Sequence, residues 1–409
     1  MIEWSEEHLA IRDAFRKFID AEIRPNIEEL EHGDTPPYEV LRKLYKTFGI
    51  AEMQLAGFKA QIEREKKAAA GDGEPKKAKR GGGGDSTAAQ MLLLTELCRV
   101  CPGMVTAMGV SVSLTAGTIM SKGTIAQKER FAPALLTMEK IGAWAITEPG
   151  SGSDAFGSMV SSCKRADDGG YILNGSKTFI TNGPYADTII FIAKFDDGET
   201  PADKRQVLSF VLDRGTKGLT QSKPLRKMGQ HSSPTGELFL EDVHVPADRL
   251  LGESETRSYR TGAKDTFGSE RSGTPPMALG IVEECLSLCV EYAKTRVQFG
   301  QPIGQFQLIQ QKLAKMEVAR MNIQNLVFRI IEGAELGKGM SFAEASAAKL
   351  YSAQAAMEVA LEAVQLHGGN GYMAEYRVEQ LCRDAKVLQI YAGTDEIQTS
   401  QIARSLMAD

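Results

Sequence analysis

Residues 365–383 read QLHGGNGYMAEYRVEQLCR, and residues 389–398, a few positions on, read QIYAGTDEIQ. An apolar, alanine-rich pattern of helical period runs into the first stretch, and Gly368, Gly369 and Gly371 break it. Glycine in such a place lets main-chain N–H groups approach a large ligand with no side chain between. Tyr391-Ala392-Gly393-Thr394 then forms a second tight turn before a last helical segment.

Working outward, residues 278–296, 305–336 and 342–366 carry helical periodicity over lengths that suit a four-helix bundle. The texture differs between residues 141 and 250, where short alternating segments predict strands. Tyr171-Ile172-Leu173 and Lys177-Thr178-Phe179-Ile180 flank Asn174-Gly175, a strong hairpin signal. Strands are further expected at 188–194, 207–212 and 237–245, closed by Pro246. Strands with turn signals and no helices between them predict a small β-barrel or sandwich rather than a parallel sheet. Residues 1–140 read as helices: Leu9, Ile11, Phe15, Phe18, Ile19 and Ile23 share one face before Arg24-Pro25, and further helices follow at 38–48, 88–120 and 127–139. The fold expected is mainly α with a β-domain: an N-terminal helical domain (1–140), a β-barrel-like domain (141–250) and a C-terminal bundle (251–409).

Gly57 to Asp85 stands apart. It carries Lys59, Arg64, Lys66, Lys67, Lys76, Lys77, Lys79 and Arg80, little apolar material after Ile62, and four consecutive glycines at 81–84. Such a composition buries too little apolar area to offset the entropy of ordering, so a short polar helix and then a flexible insertion are expected. Glu63, Glu65, Asp72 and Glu74 dilute it as a basic patch.

The 409 residues suffice for two or three domains, and a net charge of −5 argues against nucleic-acid binding. No apolar run is expected to reach the ~20 residues that cross a membrane, and the acidic start leads straight into a helix pattern. Cys98 and Cys101 have no second pair at zinc spacing and read as reduced core thiols. A cytoplasmic protein with no membrane or metal site fits these features.

The GGxGY stretch and the Tyr-x-Gly-Thr turn, in this order, resemble the acyl-CoA dehydrogenase family. Three upstream motifs carry the same resemblance, which covers nearly the whole chain apart from Gly57–Asp85. Trp144-Ala145-Ile146-Thr147-Glu148-Pro149-Gly150-Ser151-Gly152-Ser153-Asp154 is, from its residues alone, a turn or an anion site. The resemblance implies that this loop runs along a flavin, with Thr147 on the ring edge and Ser153 near the pyrophosphate and the substrate. Phe179-Ile180-Thr181-Asn182-Gly183 is similar to the family's Trp-Ile-Thr-Asn-Gly strand, which puts Phe179 against the flavin and Thr181 near its reactive nitrogen. The exchange of Trp for Phe keeps an aromatic face and loses an N–H donor. Arg296-Val297-Gln298-Phe299-Gly300 resembles the family's Arg-x-x-Phe-Gly, expected at the start of a bundle helix. It implies that Arg296, with Gln298 and Phe299, reaches the flavin of a neighbouring subunit, alongside Gln365, Gly368 and Gly369; Thr394 and Glu396 complete the implied FAD contacts. Arginine, forked and always charged, suits a pyrophosphate.

The residue between Tyr391 and Gly393 is Ala392, where many family members carry the glutamate that acts as base. Alanine cannot take a proton. A smaller branch, including isovaleryl and long-chain enzymes, has its base within a Glu-Arg pair at the start of the first bundle helix, and Glu270-Arg271 matches it. From the residues alone, Glu270 is equally an acid favoured by a helix dipole. The resemblance makes Glu270 the base, with Arg271, Tyr391 and Gly393 at the substrate and Thr106, Gly109 and Val110 lining the far end of an acyl tunnel. Small side chains there point to long or branched chains.

What the resemblance implies is FAD-dependent dehydrogenation of an acyl-CoA thioester to the trans-2-enoyl-CoA, as in fatty acid β-oxidation. A carboxylate removes the α proton, the β hydrogen leaves as hydride, and electrons pass to an electron-transfer flavoprotein. The enzyme is expected to be a homo-oligomer, as a dimer of dimers. The alternatives are a flavin oxidase or monooxygenase on the same fold, and a non-catalytic subunit of a heteromeric assembly.

Overall fold

The computed structural model describes residues 3–71, 84–256 and 270–408. The second half of the 57–85 segment and the stretch that leads into Glu270 lie outside them. Eight helices come first: α1 (Glu6–Glu22), α2 (Ile27–His32), α3 (Tyr38–Thr47), α4 (Ile50–Ala69), α5 (Gly84–Cys98), α6 (Pro102–Gly109), α7 (Gly117–Lys122) and α8 (Ile125–Leu136). Their starts follow capping chemistry: the Ser5 and Thr124 hydroxyls accept from N–H groups of the first turns of α1 and α8.

The 57–85 segment is not uniform. Its first part prolongs α4 to Ala69, with Ile62 buried and Glu65 paired to Lys128 of α8 at 2.6 Å. Lys66 pairs with Glu129 at 2.7 Å. A difference from expectation concerns Pro102–Lys122, which is continuous through a π-helical stretch at Val110–Ala116 and is long and apolar enough to cross a bilayer. Its apolar side chains are instead packed inside: Met104, Val105, Leu114 and Ile119 are all buried in core clusters.

The β-domain comprises β1 (Gly142–Ala145), β2 (Ser162–Arg165), β3 (Tyr171–Thr181), β4 (Thr188–Phe195), β5 (Val207–Asp213), β6 (Leu219–Gln221) and β7 (Thr235–Val245). They form one seven-stranded sheet in the order β1-β4-β2-β3-β7-β6, with β5 on the other edge of β4. The sheet wraps a core to which β1 to β5 and β7 contribute, including Leu173, Phe191, Phe210 and Leu240. Two pairings, β1 with β4 and β2 with β4, are parallel, which the short alternating segments did not announce.

The hairpin expected at Asn174-Gly175 is corrected. β3 runs straight through it; the reversal lies before Tyr171, where Arg165 pairs with Tyr171. Asn174-Gly175 makes a bulge, with Gly175 at φ +146°. The Asn174 amide donates to Asp242 at 3.0 Å and accepts from its N–H at 2.8 Å, so turn chemistry serves to mend a broken ladder.

After a helical turn at 270–272 come α9 (Thr274–Thr295), α10 (Gln307–Glu335), α11 (Phe342–His367), α12 (Val378–Lys386) and α13 (Asp395–Leu406). A two-residue pair of strands, β8 (Val297–Gln298) and β9 (Gln301–Pro302), follows α9. Arg296 therefore caps the C-terminal end of α9 rather than starting a bundle helix. Helix α9 packs on α5, α10 and α11. A Cβ on Gly280 would lie 2.2 Å from the Thr95 carbonyl, so glycine sets the α5–α9 spacing. One apolar cluster runs from Phe15 to Leu388, joining N-terminal helices and bundle.

Candidate active site

Glu270 lies in the helical turn before α9 and is half-buried. Desolvation pushes its carboxyl up to about 7, against the opposing pull of Arg271 and Lys349. Arg271 is buried: its guanidinium donates to Ser346 Oγ at 2.9 Å and lies 4.1 Å from the centre of the Phe342 ring, both on α11. A Cβ on Gly393 would stand 3.5 Å from that guanidinium and 2.8 Å from the Gln398 amide. The Glu270-Arg271 pair and the Tyr391–Thr394 turn thus share one place. In that turn Ala392 and Gly393 have φ of +55° and +87°, and Gln398 ties it down by donating to both carbonyls at 2.9 and 2.8 Å. Thr394 caps α13, and Glu396 is exposed in its first turn.

Tyr391 donates to Met277 at 3.5 Å, and burial pushes its phenol up while Thr106 and Gln230 pull the other way. Thr106 donates to the Gln230 side chain at 2.7 Å. Gly109 and Val110 are half-buried where α6 enters the π-helical stretch, a geometry frequent at functional sites. Apart from its own helix, no atom lies within 4 Å of a Cβ built on Gly109.

A second group of expected residues gathers on the β-domain. Glu148 is buried and accepts from Val160 N–H at 2.7 Å, Ser161 N–H at 3.0 Å and the fully buried Lys177 ammonium at 2.8 Å. Lys177 also donates to the Ile146 carbonyl at 3.0 Å, so this ion pair fixes the loop that carries Thr147 and Ser153. Desolvation, opposed by Glu148, brings the Lys177 ammonium down to about 8. The Thr147 carbonyl accepts from Thr178 N–H at 2.9 Å, which sets Thr147 beside Phe179. β3 slips register between Lys177 and Ile180, and Phe179, at φ +57°, leaves its ring 69% exposed. A bulky residue in left-handed geometry with a bare aromatic face is costly for a protein alone. The exposed face is open for a flat ring to stack on. Thr181 is half-buried in the same strand. Asn182, φ +64°, binds the Ala107 and Gly142 carbonyls at 2.9 Å each and accepts from Tyr38 at 3.0 Å, which locks the strand end to the N-terminal helices.

A third group forms where α9 and α11 end. Arg296, Gln298 and Phe299 are exposed, with Phe299 at φ +52°. Tyr292, one turn before Arg296, stacks on His367 at 4.3 Å and accepts from Asn370 at 3.0 Å. That brings Arg296 alongside Gln365, Gly368 and Gly369, all exposed. A Cβ on Gly368 or Gly369 would meet nothing within 4 Å, and Gly368 sits at φ +61°; the open backbone there is free to face a ligand.

Sequence reasoning passed over Gln230 and Lys349. Gln230 sits in a loop, and nothing in its neighbourhood of sequence announces contact with Thr106. Lys349 carried a signal: it falls on the face of α11 that Ala345, Ser352, Ala356, Val359 and Ala363 bury.

Three profiles of one family match the chain: "Acyl-CoA dehydrogenase, N-terminal domain" over residues 5–57 and 72–139, "middle domain" over 143–243, and "C-terminal domain" over 261–407. The gap within the N-terminal match, residues 58–71, falls mostly on the prolonged α4, which ends at Ala69. A short-chain-specific acyl-CoA dehydrogenase of Megasphaera elsdenii is 38% identical over 381 residues, 93% of each chain. The solved butyryl-CoA dehydrogenase of that organism superposes with a TM-score of 0.82 at 35% identity over the whole of both chains. A glutaryl-CoA dehydrogenase of Mycobacterium smegmatis in complex with FADH2 gives a TM-score of 0.83 at 25% identity, covering 99% and 96% of the two chains.

Proposed function

The chain belongs to the acyl-CoA dehydrogenase family, an FAD-dependent oxidoreductase family, and on that premise we propose that it oxidises an acyl-CoA thioester with Glu270 as base. The observation that carries this is the joining of Glu270-Arg271 with the Tyr391–Thr394 turn, where Ala392 leaves no other carboxylate between Tyr391 and Gly393. A base for an α proton needs a proton affinity near working pH, and burial gives Glu270 about 7. FAD, when bound, supplies the acceptor for the hydride from the β carbon. The residues fit it: the Phe179 face and the Thr147–Ser153 loop would hold the flavin end, with Thr181 beside it. Arg296, Gln298, Phe299, Gln365, Gly368 and Gly369 would hold the cofactor of a partner copy. Arg271, pinned by Ser346, keeps the turn in register with Glu270, and Tyr391 closes the site beside Met277.

The open space at Gly109 supports a long or branched acyl chain, each buried CH₂ adding roughly 0.8 kcal/mol. An electron-transfer flavoprotein is the proposed acceptor. The test is anaerobic bleaching of the flavin by acyl-CoA thioesters of varied length and branching, with oxygen uptake followed in air. Bleaching by chains of C8 and longer or by branched ones, with little oxygen uptake, supports the reading. Preference for butyryl-CoA would overturn the chain-length assignment, rapid oxygen uptake would make the protein an oxidase, and no bleaching by any thioester would leave a non-catalytic subunit.

A further inference from the structure

Lys349 lies on α11 with its side chain fully buried, and fully buried lysines are rare unless they are paired. Its ammonium pairs with Asp395 at 3.5 Å, the first residue of α13 and the neighbour of Thr394. Gln389 donates to the other Asp395 oxygen at 3.1 Å and accepts from Lys386 at 2.8 Å, so Asp395 is held both by α11 and by the segment before the Tyr391–Thr394 turn. One helical turn before Lys349, Ser346 holds Arg271. Two cations packed on the buried face of α11 therefore flank one turn: Arg271, from the turn before α9, beside Gly393, and Lys349, from α11 itself, at Asp395.

Stability does not account for a buried lysine here. Removing an ammonium from water costs several kcal/mol, which a single long ion pair seldom returns. The charged groups around Lys349 are Glu270 and Arg271 from the turn before α9 and Asp395 from α13, with Glu396 one residue further on. Of these, Arg271 is already engaged with Ser346 and Phe342, and Asp395 is shared with Gln389.

Resting on the assignment of Glu270 as base, we propose that Lys349 is a positioning residue for proton abstraction. Its buried charge, anchored on Asp395, holds the Tyr391–Thr394 turn beside Glu270 and favours the ionised carboxylate. Both Lys349 and Arg271 pull the Glu270 carboxyl down against desolvation, in line with this.

The experiment compares parent, Lys349→Arg, Lys349→Met and Lys349→Met/Asp395→Asn, each loaded with FAD. Glu270 is titrated in the substrate-free enzyme by its carboxyl infrared band, identified by difference from Glu270→Gln, and the acid limb of flavin reduction is followed in parallel. The double variant removes the ion pair without leaving Asp395 unpaired, so it answers even where Lys349→Met folds poorly. The expected result is an upward shift of about one pH unit or more in the Glu270 titration of both Met variants, with recovery in Lys349→Arg. An unmoved titration in an FAD-replete double variant would overturn the inference. Parental flavin reduction by Glu270→Gln would instead overturn the base assignment, and the infrared titration tells the two failures apart.

Discussion

Phe179 shows how much one residue reports. Its ring is exposed and its backbone left-handed, so Phe179→Gly should relieve strain in the free chain and remove the flavin's platform. The thermal midpoint of the apoprotein should hold or rise while FAD affinity falls by tenfold or more, as fluorescence titration would show; a lower midpoint with unchanged affinity would make Phe179 a core residue. With Glu270 as the proposed base, its titration sets the expected pH dependence. Only its carboxylate takes a proton, and its carboxyl lies up at about 7, so flavin reduction should fall about tenfold per unit below that pH and level off above it. A flat profile down to pH 5 would speak against Glu270. Both residues were singled out in the sequence by local motifs that resemble the family's. Lys349 was legible only as a lysine on a buried helical face, since its partner Asp395 is remote in sequence and its charge acts through space.

At the scale of elements, the loop after β1 is anchored to the sheet by the Glu148–Lys177 pair, while the Ser151 hydroxyl closes it locally by donating to the Asp154 carbonyl at 2.7 Å. Glu148→Ala would leave a buried ammonium alone, at a cost of about 3–5 kcal/mol, and free the N–H groups of Val160 and Ser161. The thermal midpoint and the FAD content should fall together; FAD retained at the parental level would separate the loop from the cofactor. Glycine and serine spacing marked this loop, whereas the lysine that fixes it comes from another strand. Asn174-Gly175 misled for a related reason: its turn chemistry is real, but the bulge answers to Asp242 on β7. The α4 extension makes the opposite case. Burial of Ile62 and two ion pairs to α8 are worth only about 2–3 kcal/mol. Replacing 57–85 with a short linker should therefore lower the midpoint modestly and leave FAD content unchanged; a large fall in both would show that the segment is structural.

At the scale of the molecule, helix–strand–helix order was readable from periodicity, but the fusion of N-terminal helices and bundle in one core was not, because that depends on the close α5–α9 approach at Gly280. Arg296, Phe299 and the open Gly368–Gly369 backbone face outward, and apolar side chains stay exposed on the bundle, with Leu308 at 74% and Val318 at 57%. Arg296→Ala should weaken FAD retention without lowering the midpoint of the apoprotein, and sedimentation should show an oligomer, with FAD lost as it dissociates. FAD held equally well by monomers would refute a shared site. The claim at the centre, that this fold oxidises an acyl-CoA through Glu270, meets its most direct test in anaerobic flavin reduction. With a bleaching acyl-CoA, Glu270→Gln should keep FAD and bind the thioester but reduce its flavin on the order of 10²–10⁴-fold more slowly, with part of the rate restored by adding Ala392→Glu. Reduction of the Glu270→Gln flavin at nearly the parental rate would contradict it.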